Sequence, residues 1–304
     1  MDAILELNNL SKRYGDHVAV ENLGFSVPRG SVFGLLGPNG AGKTTTIRMI
    51  MRIIAADSGS VLLDGEPVDD ERRRIIGYLP EERGLYKKMK VLEHLVYLGT
   101  LKGLRPGEAK KRGAAWLERF KLDEWATHKV EDLSKGMQQK VQFIGTILHR
   151  PPLLILDEPF SGLDPINTRE LKDLMLEMRD EGVTIVLSTH VLPQVDELCT
   201  AICLINRARP ILVGELATIR EDYGGNTWRV RSELSQDRMA DLPGVVSVLP
   251  LRDDLLVELD QGSEPRGLLR ALVDAGKVET FARFTPDLEN IFIRAVEEDR
   301  GYDE

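Results

Sequence analysis

The sequence predicts an α/β fold, a mostly parallel sheet flanked by helices, with a small α+β domain after it, and three stretches carry the prediction. The first is an apolar run, Val32, Phe33, Gly34, Leu35 and Leu36, leading into Gly37, Pro38, Asn39, Gly40, Ala41, Gly42, Lys43 and Thr44 and then into a helical pattern. The second is Leu153, Leu154, Ile155 and Leu156 ending in Asp157 and Glu158. A wholly apolar strand of this kind is buried on both faces, as in a parallel sheet, and ligands bind at the carboxyl ends of such strands. The third lies at about 225–300, where short strands and helices read strand, helix, strand, strand, helix, strand, the order of ferredoxin-like units.

Composition sets the outer bounds. With 304 residues, 42% of them hydrophobic and 29% charged, the chain is long enough for one large and one small domain. A net charge of −9, from 49 acidic and 40 basic residues, repels nucleic acid and anionic lipid in bulk, so no nucleic-acid partner is expected. Cys199 and Cys203 form neither a disulfide framework nor a zinc pattern and read as buried free thiols. The N-terminus has no basic, apolar leader, and no run approaches the ~18 apolar residues of a membrane span, so a cytoplasmic location is expected.

In chain order, Ile4, Leu5 and Leu7 begin an extended segment, a turn is expected over 11–15, and a second extended segment runs from His17 to Val27. Tyr14 either stacks on a base or caps the hairpin. Residues 37–44 match the pattern of Gly, four residues, Gly-Lys and a hydroxyl. Glycines permit positive φ, which turns successive N–H groups toward one concavity, and the following helix adds its positive end. The natural occupant is a phosphate group, with Lys43 on its terminal oxygens, Thr44 on Mg²⁺ and Thr45 on a neighbouring oxygen. A core helix is expected from Thr44 to Ile53, and Ser58-Gly59 and Asp64-Gly65 bound a short strand at 61–63.

A strand beginning near Ile75 stops at Pro80, followed by Glu81. Residues 85–150 read as helical, with Val91, Leu92, Leu95 and Val96 on one apolar face and Ala115, Trp116 and Phe120 on another, and 110–112 as a solvated basic face. Leu133, Ser134, Lys135, Gly136, Met137 and Gln138 precede a helix, and Ser134 is its expected N-cap, where a second anion can bind. At the end of the apolar strand, Asp157 stands beside the metal and Glu158 points at the terminal phosphate, placed to polarise a water. The run 161–164 ends at Asp164, a helix follows to Gly182, and the strand 183–188 delivers His190 to the same sheet end.

Together these motifs, over about 4–215, resemble the nucleotide-binding subunit of ATP-binding-cassette (ABC) transporters. The resemblance implies a P-loop NTPase cassette with a RecA-like core, an antiparallel β subdomain and a helical subdomain at about 85–150, the whole spanning 1–220. It makes residues 37–44 the Walker A loop, 153–158 the Walker B strand with Glu158 as catalytic glutamate, 161–164 the D-loop, Tyr14 the adenine-stacking aromatic and His190 the switch histidine. Ser134 and Gly136 keep the hydroxyl and amide of the signature motif, while Lys135 and Met137 replace its usual Gly and Gln. Glu81 stands where the family has a glutamine; a carboxylate can still ligate Mg²⁺ but adds a negative charge.

The same resemblance implies ATP and Mg²⁺ as cofactors and hydrolysis by a pair of cassettes, since one subunit's signature covers the ATP held by the other. Partners are then a second cassette and a separate permease docked on 81–90, which holds the chain at the inner face of the membrane. The segment 225–300 looks like the C-terminal extension of the NatA-like (ABC-2) branch that exports drugs or sodium, with a regulatory or dimer-supporting role. The alternative is a non-transport ABC ATPase acting on a ribosomal or nucleic-acid partner, although such proteins carry two cassettes or long coiled coils.

Overall fold

The computed structural model describes residues 2–82 and 84–301. It resolves into two compact units, one running to Glu215 and rejoined from Glu298, the other Leu216–Glu297.

β1 (Ala3–Tyr14) and β2 (His17–Pro28) form an antiparallel hairpin. The turn expected over 11–15 contracts to Gly15 and Asp16, because Tyr14 pairs with His17 and Ser11 pairs with Ser58. β3 (Val32–Leu36) is buried throughout, and α1 (Lys43–Ile50) follows the glycine loop. That helix ends earlier than its apolar pattern predicts, since Met51 is its C-cap and Arg52 turns to φ +52°. β4 (Ser58–Leu63) takes Ser58 and Gly59 into the strand, and β5 (Glu66–Pro67) closes a four-stranded antiparallel sheet in the order β2-β1-β4-β5.

α2 (Asp70–Arg74) is capped by the Asp69 carboxylate, which accepts from the N–H of Arg72 at 2.7 Å, and β6 (Ile76–Leu79) ends at Pro80. The helical region comprises α3 (Val91–Leu101), α4 (Pro106–Arg119) and α5 (Lys135–Ile147). On α4 the buried face is Ala109, Gly113 and Leu117, while Ala115, expected to be apolar core, is exposed. Small residues win here because the helices approach closely. A Cβ at Gly113 would lie 3.2 Å from Leu92, and one at Gly99 only 2.9 Å from Ala109. Arg112 is partly covered and donates to the Leu148 carbonyl at 3.0 Å, so the basic run is not uniformly solvated.

β7 (Leu153–Asp157) is fully buried, as its composition requires, and is followed by α6 (Pro165–Asp180), β8 (Thr184–Thr189), α7 (Leu192–Leu198), β9 (Ala201–Asn206) and β10 (Arg209–Glu215). The second sheet has the order β10-β9-β3-β8-β7-β6, all neighbours parallel except the β9–β10 edge. Its register aligns strand ends: Leu36 lies opposite Thr189, Asp157 opposite Ser188, and Leu79 opposite Leu156. Four loops therefore leave from one rim. Phe33, Leu35, Ile47 and Ile155 are essentially inaccessible beneath it, each contributing about 1.5–3 kcal/mol by burial.

The second unit holds α8 (Leu216–Gly224), β11 (Thr227–Ser232), α9 (Gln236–Ala240), β12 (Val245–Leu251), β13 (Asp254–Leu259), α10 (Pro265–Ala275) and β14 (Val278–Arg283); α11 (Leu288–Gly301) begins in it. Its antiparallel sheet has the order β12-β13-β11-β14, the ferredoxin-like arrangement. Val230, Met239, Val257 and Leu272 form the core, and Trp228 stacks on Phe281 with centroids 4.8 Å apart. Cys199 and Cys203 are buried free thiols, and burial pushes the Cys199 thiol up to about 12. Among the described residues no helix is long and apolar enough to cross a membrane.

Candidate nucleotide site

The loop after β3 can be built only with glycine at two positions. Gly37 has φ +148°, and a Cβ there would lie 2.3 Å from the Ile205 carbonyl oxygen; Gly42 has φ +113°, and a Cβ would lie 2.4 Å from the Ala19 oxygen. The loop thus lies flush against its neighbours. α1 starts directly after it, with Gly42 as N-cap, no side-chain cap and no acidic residue in the first turn. Its leading N–H groups and positive end are left to an anion from outside.

Lys43 is 6% exposed, and its ammonium donates to the carbonyls of Gly37 at 2.7 Å and Pro38 at 3.1 Å. Burial lowers its pKa, and the negative charges of Glu158, Asp157 and Glu81 oppose that shift. The Lys43 nitrogen also lies 4.0 Å from a Glu158 oxygen.

Two carboxylates at the end of β7 have different surroundings. Asp157 is 1% exposed; its Oδ1 accepts from the Ser188 hydroxyl, while its Oδ2 is buried without a hydrogen-bond partner among the described residues. Glu158 takes φ +47°, which breaks the alternation of a strand and lets its side chain reach the rim. A non-glycine residue in that region costs about 1–3 kcal/mol, a strain found at functional positions. Its Oε1 lies 2.8 Å from His190 Nδ1.

A cavity of 390 Å³ collects Tyr14, Asn39, Gly40, Gly42, Lys43, Thr44, Thr45, Glu81, Glu158 and His190 from the sequence expectations, together with His17, Ala19 and Ser161. Gly37, Pro38 and Ala41 shape the loop without lining the cavity, and Asp157 lies buried behind it. His17, missed as a site residue, faces the cavity because it pairs with Tyr14 across the hairpin, a register relation that no motif marks.

Ser134, Gly136 and Asp164 do not border this cavity. The Ser134 hydroxyl caps α5 by accepting from the Met137 N–H at 3.3 Å, and Asp164 caps α6 by accepting from Ile166 and Asn167, each at 3.0 Å. A Cβ on Gly136 would lie 3.4 Å from the Asn167 amide, so the three belong to one surface elsewhere on the unit. Among the described residues no three His, Cys, Asp or Glu side chains converge on a metal position.

A strand, a glycine loop, an uncapped helix start and a strained carboxylate on one rim define a nucleoside-triphosphate-hydrolysing domain. Residues 20–161 match the family model for ABC transporters, and residues 214–296 match that for the C-terminal domain of DrrA1-3-like ATP-binding proteins. The chain is 40% identical to the ABC transporter ATP-binding protein YhaQ of Bacillus subtilis (strain 168), over 96% of this chain and 98% of that one. It is 34% identical to the Nod factor export ATP-binding protein I of Cupriavidus metallidurans, over 97% of each chain. Among solved structures, the ATP binding subunit of an ABC transporter matches with a TM-score of 0.68 at 35% identity, covering 73% of this chain and 93% of that one. The chain belongs to the ABC transporter ATP-binding proteins and is an ATP-hydrolysing enzyme of that family.

Proposed function

We propose that this chain powers export through a separate membrane permease, hydrolysing ATP at the rim cavity as one of a pair of cassettes. The observation that carries the catalytic part is Glu158, turned into the cavity at φ +47° and held 2.8 Å from His190. Residues 39–45 and the start of α1 bind the phosphates, Lys43 supplies a point charge, and Tyr14, 50% exposed at the cavity edge, stacks on adenine. Glu158 takes the proton of the attacking water, a role worth about 10²–10⁴-fold, and His190 holds the carboxylate in position.

The Thr44 hydroxyl, the unpaired Asp157 Oδ2 and Glu81 fit Mg²⁺, an ion that takes one or two protein carboxylates and completes its shell with phosphate and water. When bound, the ion neutralises charge on the phosphates. Ser134, Gly136 and Asp164 lie away from their own cavity, which leaves them free to cover the nucleotide of a second copy.

The segment 81–90 is the docking surface for the permease. Tyr86, Lys87 and Lys88 are exposed there, and Tyr86 meets Tyr97 edge-on at 5.4 Å, so an aromatic ledge flanked by ammonium groups faces outward. Arg83, within that segment, lies outside the described residues. Export as the direction draws support from the Nod factor export relative, and the C-terminal unit is assigned a regulatory or dimer-supporting role.

The test is an affinity pull-down of tagged Glu158→Gln protein with Mg-ATP from detergent-solubilised membranes of its source cell. Recovery of a multi-span membrane protein is expected; recovery of ribosomal or DNA-repair components instead contradicts the transport assignment.

A further inference from the structure

Among the described residues, two charged side chains, one at the cavity and one on the first turn of α5, lack a hydrogen-bond or ion-pair partner. Glu81 lines the cavity, and among the described residues its carboxylate makes no hydrogen bond or ion pair; its charge acts on Lys43 from a distance. Lys135 is the first residue of α5, exposed, and among the described residues its ammonium is likewise without a partner. It does not border the cavity of its own chain.

The electrostatic balance of the cavity explains why the two belong together. Among the described residues, Lys43 stands against Glu81, Glu158 and the buried Asp157, three carboxylates to one ammonium. A bound nucleoside triphosphate adds about four negative charges and a divalent cation returns two, so a closed, water-poor site is left with excess negative charge where Coulomb energies are large. A cation brought in from outside relieves it. The surface that carries Lys135 also presents Ile166, 81% exposed at the start of α6, so an apolar contact accompanies the charge.

We infer that Lys135 of one copy sits across the bound nucleotide from Glu81 of a second copy, offsetting the charge that Glu81 brings to the closed site. This rests on the paired-cassette reading proposed above. The occupant is a second copy of this chain because the carboxylate that complements Lys135 stands on the chain itself, beside the cavity the pair would close. Two-fold symmetry makes the contact twice, so its loss counts at both sites.

A double-mutant cycle tests it. In the Glu158→Gln protein, sedimentation velocity with Mg-ATP gives the dimer dissociation constant for that background and for Lys135→Gln, Glu81→Gln and both together. The expected result is that Lys135→Gln weakens the dimer about tenfold where Glu81 is present and less than about threefold where Glu81 is Gln, with the difference shrinking as salt is added. Lys135→Arg, which keeps the charge, is expected to retain the dimer constant within about threefold, which separates a charge effect from a folding defect. An equal loss in both Glu81 backgrounds, or a loss that Lys135→Arg shares, overturns the inference. A dimer that forms without this coupling defeats the inference alone, whereas no Mg-ATP-dependent dimer in the background protein defeats the paired reading with it.

Discussion

Glu158 Oε1 and His190 Nδ1 are 2.8 Å apart, although 32 residues separate them in the chain. Two adjacent parallel strands, β7 and β8, set that distance by pairing Asp157, the last residue of β7, with Ser188, one residue before the end of β8. The Glu158 N–H donates to the Ser188 carbonyl at 3.1 Å, which fixes the strained turn, and the imidazole then fixes the carboxylate. His190→Ala removes the second restraint and leaves the phosphate loop intact. Steady-state kinetics is expected to show kcat lowered by at least about tenfold with ATP affinity changed less than about threefold; an unchanged kcat makes the contact incidental.

Lys43→Ala deletes the ammonium that the loop carbonyls of Gly37 and Pro38 hold in place. Hydrogen bonds to charged groups contribute about 1.5–3 kcal/mol, so ATP affinity is expected to fall by at least about tenfold in a fluorescent-nucleotide titration. Affinity within about twofold of the unaltered protein removes Lys43 from phosphate binding.

At Gly37, substitution by Ala meets both a positive φ and a carbonyl oxygen 2.3 Å from the new Cβ. The backbone contribution alone is about 1–3 kcal/mol, and the collision with Ile205 adds to it. Thermal unfolding is expected at a clearly lower temperature, with ATP binding lost. The same change at Gly107, where a Cβ meets nothing within 4 Å, is expected to do neither.

His94, on α3, is fully buried with both ring nitrogens unpaired among the described residues and its ring 5.8 Å from Tyr86. Burial holds its pKa down to about 4, below the ordinary value of 6.5. The unfolded chain therefore takes up a proton that the folded one refuses between those values, and stability is full above about pH 6.5 and declines toward pH 4. Replacing His94 with Leu is expected to flatten the dependence of melting temperature on pH in this window; an unchanged slope assigns the acid sensitivity elsewhere.

Chemistry that rests on local spacing was legible in the sequence. Residues 37–44, the buried strand at 153–157 and the caps Ser134 and Asp69 each satisfy a requirement written within a few positions, although only Ser134 was anticipated as a cap. The ferredoxin-like order of the last strands was legible for the same reason, since short alternating runs and turns repeat there. What depends on a neighbour was not. Trp116 and Ala115 looked like the core face of α4, yet Gly99 and Gly113 draw the helices together and give that face to Ala109, Gly113 and Leu117. Likewise β1 stays extended through Tyr14 because β2 and β4 pair with it. His17 reaches the cavity through a hairpin register that no motif records.

The most direct measurement is the rate of Mg-ATP hydrolysis by the purified protein and its Glu158→Gln variant, each with nucleotide binding measured alongside. A general base at Glu158 predicts turnover lowered about 10²–10⁴-fold with ATP still bound. Turnover within about twofold of the unaltered protein, with nucleotide bound, contradicts the catalytic assignment.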